Sequence, residues 1–205
     1  MHKFVLRSLI LSVLCGGAIH ASTITWDFST GTVGNVGSST EIFTSGGFSV
    51  TANGFASNTI ARNLFGKNGT GDEKGLGLVD TVDNELSGNN FIQLDLSALT
   101  GFTNFKIAFN STTEEGWQVF NCSASGTVCA TSLLTGTNEG TLNSISVGNV
   151  TGAGRYLDVK ATDGNVLLFK LTADTASVPE PSTGILLLLS AGLLAGVRVL
   201  KFKQR

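Results

Sequence analysis

The chain has 205 residues, 41% of them hydrophobic and 14% charged, with 26 Gly and 2 Pro; this composition suits one compact domain, two at most, and argues against intrinsic disorder. The net charge of −2 hides an uneven distribution: both ends are basic, while residues 22–178 carry 7 bases and 14 acids, about −7 in all. So acidic a body disfavours nucleic acid, whose phosphates require a basic face.

Residues 1–21 have the build of a signal peptide. His2, Lys3 and Arg7 form a basic start, Leu9 to Cys15 an apolar run, and Gly16 to Ala21 a mostly small-residue exit. The run is too short to span a bilayer, and its exit suits signal peptidase. Cleavage is expected after Ala21, with Ala18 as the alternative. Leu14 stands before Cys15 where lipoprotein processing requires a small residue, so a lipidated Cys15 is not expected. The chain's two histidines, His2 and His20, leave with this segment. A mature domain without His excludes Ser-His-Asp and Cys-His catalysis, His-based zinc sites and His-ligated haem.

Residues 22–171 show alternating apolar and polar positions between turn clusters, the pattern of antiparallel strands with one face on a core. Ile24, Trp26 and Phe28 share a face of Thr23–Phe28, and Gly47–Ala52 alternates as well. Asp72 to Leu86 concentrates five carboxylates, reading as an acidic loop; Asp80, Asp83, Asn84 and Glu85 are candidate oxygen ligands for a structural calcium, although the spacing is not that of an EF-hand. Further along, Ile92, Leu94 and Leu96 point inward, as do Phe105, Ile107 and Phe109. Glu114-Glu115-Gly116-Trp117 places two carboxylates beside an aromatic; adjacent strand residues face opposite ways, so a glycosidase-type pair would need a turn or a carboxylate from elsewhere. Trp117, more open in its setting than Trp26, is a candidate glycan-stacking residue; Tyr156 is a further aromatic of this kind.

Cys122 and Cys129, with six residues between them, are expected to form a disulfide once exported. Arg155–Ala161 and Val166–Leu171 flank Thr162-Asp163-Gly164-Asn165, the best hairpin signal in the chain. No segment offers an amphipathic helix of three turns. The expectation is an all-β, antiparallel β-sandwich, jelly-roll-like, with 172–183 as linker.

The tail has three parts. Pro179-Glu180-Pro181 holds the linker extended, since two prolines one residue apart disfavour helix. Gly184 to Val197 is an apolar run of 14 residues, about 21 Å of helix at 1.5 Å per residue against roughly 30 Å of hydrocarbon. Extended to Leu200, with Arg198 snorkelling, it makes a marginal transmembrane helix over 184–200. Basic residues within 201–205 hold that end in the cytoplasm and leave the preceding domain outside.

These three parts, in this order at the chain terminus, resemble the PEP-CTERM sorting signal of Gram-negative, biofilm-forming bacteria. The resemblance implies recognition by exosortase, a membrane-embedded cysteine protease, and cleavage near Pro179-Glu180-Pro181. It implies an inner-membrane anchored precursor, then a protein of the cell surface or extracellular matrix, associated with exopolysaccharide. Sandwich ectodomains are frequent in this group. Gly75-Leu76-Gly77-Leu78, followed by Asp83-Asn84-Glu85-Leu86, also looks like a stretch that recurs in such ectodomains. The expected function is therefore non-catalytic, structural or adhesive, with no cofactor beyond a structural calcium. The alternatives are a carbohydrate-binding module and, further off, a carboxylate-dependent glycan-active enzyme.

Overall fold

The structure is a computed structural model and describes residues 19–57, 60–69, 73–79, 83–110, 115–127, 129, 132–147, 155–176 and 178–179. The chain divides into two units. Of the first, residues 1–22 and 177–205, the described part is a two-stranded antiparallel ladder of β1 (Ile19–His20) and β16 (Val178–Pro179). The expected signal peptide up to residue 18, the expected transmembrane helix over 184–200 and the basic tail lie outside the described residues.

The described residues of the second unit, Thr23–Ala176, are all-β apart from a three-residue 3-10 turn, Phe28–Thr30. Its strands are β2 (Thr23–Asp27), β3 (Gly34–Asn35), β4 (Thr40–Ser45), β5 (Phe48–Phe55), β6 (Leu64–Asn68), β7 (Lys74–Leu78) and β8 (Leu86–Ser87), followed by β9 (Phe91–Asp95), β10 (Thr103–Asn110), β11 (Gly116–Cys122), β12 (Ser132–Gly136), β13 (Asn143–Ser144), β14 (Tyr156–Asp163) and β15 (Asn165–Asp174). They form two antiparallel sheets. The smaller has the order β12-β11-β14-β9-β5-β4. The larger runs β13-β10-β15-β7-β6-β3. Along one edge of β15 lie β2, β7 and β8 in succession; β10 lies along the other.

Period-two alternation explains why these segments pair this way. Phe105, Ile107 and Phe109 of β10 and Val166, Leu168 and Leu171 of β15 bury one face of the larger sheet. Ile92 and Leu94 of β9, Trp117 and Val119 of β11, and Leu157, Val159 and Ala161 of β14 bury one face of the smaller. All belong to a single apolar cluster. Between the sheets, the rings of Phe109 and Trp117 stack with centroids 4.6 Å apart, and the Trp26 indole N–H on β2 donates to the Phe48 carbonyl on β5 at 3.0 Å. Two sheets sharing one core fit the expected sandwich. Each large apolar side chain so buried contributes about 1.5–3 kcal/mol against the entropy of ordering the chain.

Three local expectations change. The Asp163-Gly164 turn does not close a hairpin. Gly164 has the positive φ of +62° that the motif implied, but β14 already has β9 and β11 on its two edges. With no free edge beside β14, β15 crosses to the other sheet, and the turn is a corner between layers. The linker start expected at residue 172 falls inside β15, which continues through Asp174; the compact unit ends at Ala176.

The third change concerns the acidic stretch, which is not all loop. Gly75-Leu76-Gly77-Leu78 lies within β7, with Leu76 and Leu78 fully buried. Beyond it, Asp83 and Asn84 take left-handed φ of 56° and 57°, turning the chain back so that Leu86 is buried too. This return passes flush over Gly77, where an added Cβ would lie 2.8 Å from the Glu85 Cα and press into the Asn84 carbonyl. Glycine is needed there because the two backbones touch, which gives the Gly-Leu-Gly-Leu stretch a packing role. Gly77→Ala should lower unfolding free energy by about 1–3 kcal/mol in urea titrations, the usual cost of overpacking; unchanged stability would show that the return segment is not held against β7.

Candidate functional site

The sorting motif sits at the limit of what the structure describes. The Pro179 backbone pairs with Ile19, while Glu180 and Pro181 lie outside the described residues. The described site with the most chemistry is on the outward face of the smaller sheet. Since Leu157, Val159 and Ala161 enter the core, Asp158 and Lys160 must face away from it. The same argument turns Phe91 and Gln93 of β9 and Phe120 of β11 outward. Register sets Phe120, Asp158, Gln93 and Asn53 in one row across four strands.

That face is covered by the loop that the disulfide closes. Cys122 and Cys129 are bonded, as expected, with Cα atoms 5.5 Å apart. The loop is fastened to the sheet by Gln93, whose Oε1 accepts from the Gly126 N–H at 2.8 Å. Gln93 Nε2 donates to Asp158 Oδ1 at 2.7 Å, and the Cys129 backbone N–H donates to the same carboxylate. Gln93 is fully buried and Asp158 is 3% exposed. Burial therefore pushes the Asp158 carboxyl up to about 6, although the Gln93 and Cys129 hydrogen bonds and the Lys160 charge pull the other way. Beside this carboxylate lies a pocket of about 320 Å³, lined by Ser57, Asn89, Phe91, Phe120, Cys129, Asp158 and Lys160. The Lys160 ammonium stands 4.7 Å from the Phe120 ring centroid. The sulfurs of Cys122 and Cys129 and a carboxylate oxygen of Asp158 lie within 4.8 Å of one another. The sulfurs are bonded to each other, so this cluster does not offer a pair of thiolate ligands.

The other candidates fall elsewhere. Trp117 is 1% exposed, its ring stacked on Phe109 and its indole N–H donating to the Asn138 carbonyl at 3.3 Å. It offers no open face to a sugar: alternation with Val119 turned it into the core. Trp26 is buried as well, and Tyr156 is half-buried on β14. Of the calcium candidates, Asp80 lies outside the described residues. Asp83 is exposed, Asn84 is half-buried, and both serve the left-handed turn. Glu85 is buried and ion-paired with Lys67. Burial, with the Glu115 and Glu73 charges, raises the Glu85 carboxyl above its ordinary range against the pull of Lys67. Its charge is thus answered by the Lys67 ammonium. Glu114 lies outside the described residues. Glu115 accepts from the Asn165 N–H at 3.1 Å, bracing the corner between the sheets.

A second concavity, about 770 Å³, opens on the larger sheet. Register places Thr25, Thr172, Lys106 and Ser144 in one row across β2, β15, β10 and β13. Beside it, Asp174 accepts from the Thr23 hydroxyl at 2.6 Å and from the Asn104 amide at 2.9 Å. Sequence reasoning named neither concavity, because their residues come from strands distant in the chain.

The Asp158 shift carries a pH dependence of stability. Its folded pKa lies above its unfolded value of 3.8. The protonated group therefore favours the fold; that contribution is complete below about pH 3.8 and is lost as pH rises through about 6. At about 1.4 kcal/mol per unit the loss is on the order of 2–3 kcal/mol. Urea unfolding of wild type and Asp158→Asn between pH 4 and 7.5 should show the wild type losing stability relative to the variant; a flat difference would contradict the burial argument.

No curated protein matches the chain. Residues 177–201 match the model of the PEP-CTERM protein-sorting motif, the same terminal segment singled out by the prolines, the short apolar run and the basic end. That motif implies an exported protein, processed at the membrane, with exosortase as its processing partner. The chain is a PEP-CTERM sorting domain-containing protein, with its sorting motif at residues 177–201.

Proposed function

We propose that the chain is a surface or extracellular-matrix protein whose Thr23–Ala176 domain is delivered by export and exosortase processing and then acts without catalysis, as a structural or adhesive component among exopolysaccharide. The sorting motif carries this reading. The fold supports it: the compact unit begins at Thr23 and ends at Ala176, so cleavage after Ala21 and cleavage near Pro179-Glu180-Pro181 both fall outside it. In this reading residues 1–21 are a signal peptide, residues 184–200 cross the inner membrane of a Gram-negative cell, and the sandwich is jelly-roll-like.

A structural role also agrees with how the carboxylates are used. Glu85 is tied to Lys67 and Glu115 braces a turn. The sequence brings no histidine beyond His20. The buried loop anchors and the disulfide suit a domain that must last in an oxidising, unprotected medium; a loop this short contributes about 2–3 kcal/mol in the chain-entropy account.

Replacing Pro179, Glu180 and Pro181 with alanine should leave the protein in the membrane fraction at its unprocessed mass. Release at the wild-type mature mass would show that the motif is not what the protease grips.

A further inference from the structure

We propose that the pocket beneath the disulfide loop binds one neutral hexopyranose unit of a glycan. The assignment deepens the reading of the domain as a glycan-associated protein and names the place where contact is made.

The lining combines what a sugar ring needs. Phe91 and Phe120 present apolar edges rather than open faces, since the Phe91 ring stacks on Phe55 at 5.0 Å and Lys160 lies over the Phe120 ring; these edges meet the C–H groups of the sugar. Ser57 and Asn89 bring a hydroxyl and an amide, each able to donate and accept. The Asp158 carboxylate has about four lone-pair sites, and Gln93 and Cys129 take two of them, leaving the rest for ligand hydroxyls. Lys160 supplies a donor beside it. The two charges select against charged ligands: an anion would meet Asp158, and an amine would meet Lys160. A neutral polyol avoids both conflicts and satisfies both groups.

The site is also pre-organised. Asp158 is held by two hydrogen bonds, Lys160 lies over the Phe120 ring, and Cys129 is fixed by its bond to Cys122. Little ordering is left for a ligand to impose, which favours a small, specific contact. At about 320 Å³ the pocket lies at the small end of the ligand-site range of roughly 300–1,000 Å³, matching a single ring rather than a length of chain.

The test uses the full-length chain in lipid nanodiscs, so that it does not depend on processing. Isotope-labelled protein is titrated with linear tetrasaccharides of glucose, mannose, galactose and N-acetylglucosamine, and amide shifts are followed by NMR. At least one should shift the Asp158, Lys160 and Cys129 amides. Asn89→Ala and Lys160→Met, both at side chains with access to solvent, should each weaken that binding by about tenfold, the loss expected for one or two hydrogen bonds. Lys106→Ala, in the other concavity, should leave it unchanged. Three results would overturn the proposal: no shift from any tetrasaccharide at millimolar concentration, equal affinity in the pocket variants, or loss in Lys106→Ala alone. None of them bears on the sorting motif, whose failure appears in processing instead.

Discussion

The first and last strands of the domain lie side by side. Five registered pairs, from Thr23 with Asp174 to Asp27 with Lys170, join β2 to β15. On its other edge β15 pairs with β10 along most of its length, so this one strand ties the chain's beginning and end to its middle. The consequence is topological. The described strands of both sheets find their ladder partners within Thr23–Asp174. Residues outside that span contribute no strand to either of these two sheets.

The second constraint is the thinness of two layers. A sandwich buries one face of each sheet and leaves the other to water or to something laid over it. On the smaller sheet the cover is the loop closed by Cys122 and Cys129, and its fastening is polar. Gln93 and Asp158 reach up from β9 and β14 to the Gly126 and Cys129 backbone N–H groups. Of the polar row that holds the loop, Asp158 also lines the pocket. The proposed glycan contact would thus use a residue that also fastens the loop, and the raised Asp158 pKa records how deeply that residue is buried.

Much of this was legible in the sequence, for physical reasons. Where apolar and polar residues alternate strictly, as in Thr23–Phe28 or Asn104–Phe109, burial follows directly from the strand period. The disulfide followed from two cysteines in an exported chain. Other features were hidden because they depend on partners. The Asp163-Gly164 turn has the chemistry of a hairpin, but turn chemistry fixes only the local bend; whether β14 had a free edge was decided by β9 and β11. Gly75-Leu76-Gly77-Leu78 lacks polar alternation, because its glycines are needed for contact rather than exposure. Asp158, between Leu157 and Val159, has the spacing of a solvated strand residue, and only the distant loop makes it buried. Trp117 was ambiguous beside two glutamates and settled once Val119 fixed the phase of β11.

The two parts of the molecule divide the work. The sorting motif at residues 177–201 marks the chain for export and processing at the membrane, and the β-domain of Thr23–Ala176 lies outside that motif. Intact mass spectrometry of the native extracellular form tests that division most directly. A single species beginning at or near Ser22 and ending close to Pro179-Glu180-Pro181 is the expected result. A working form that retains the apolar run of residues 184–200 would contradict it.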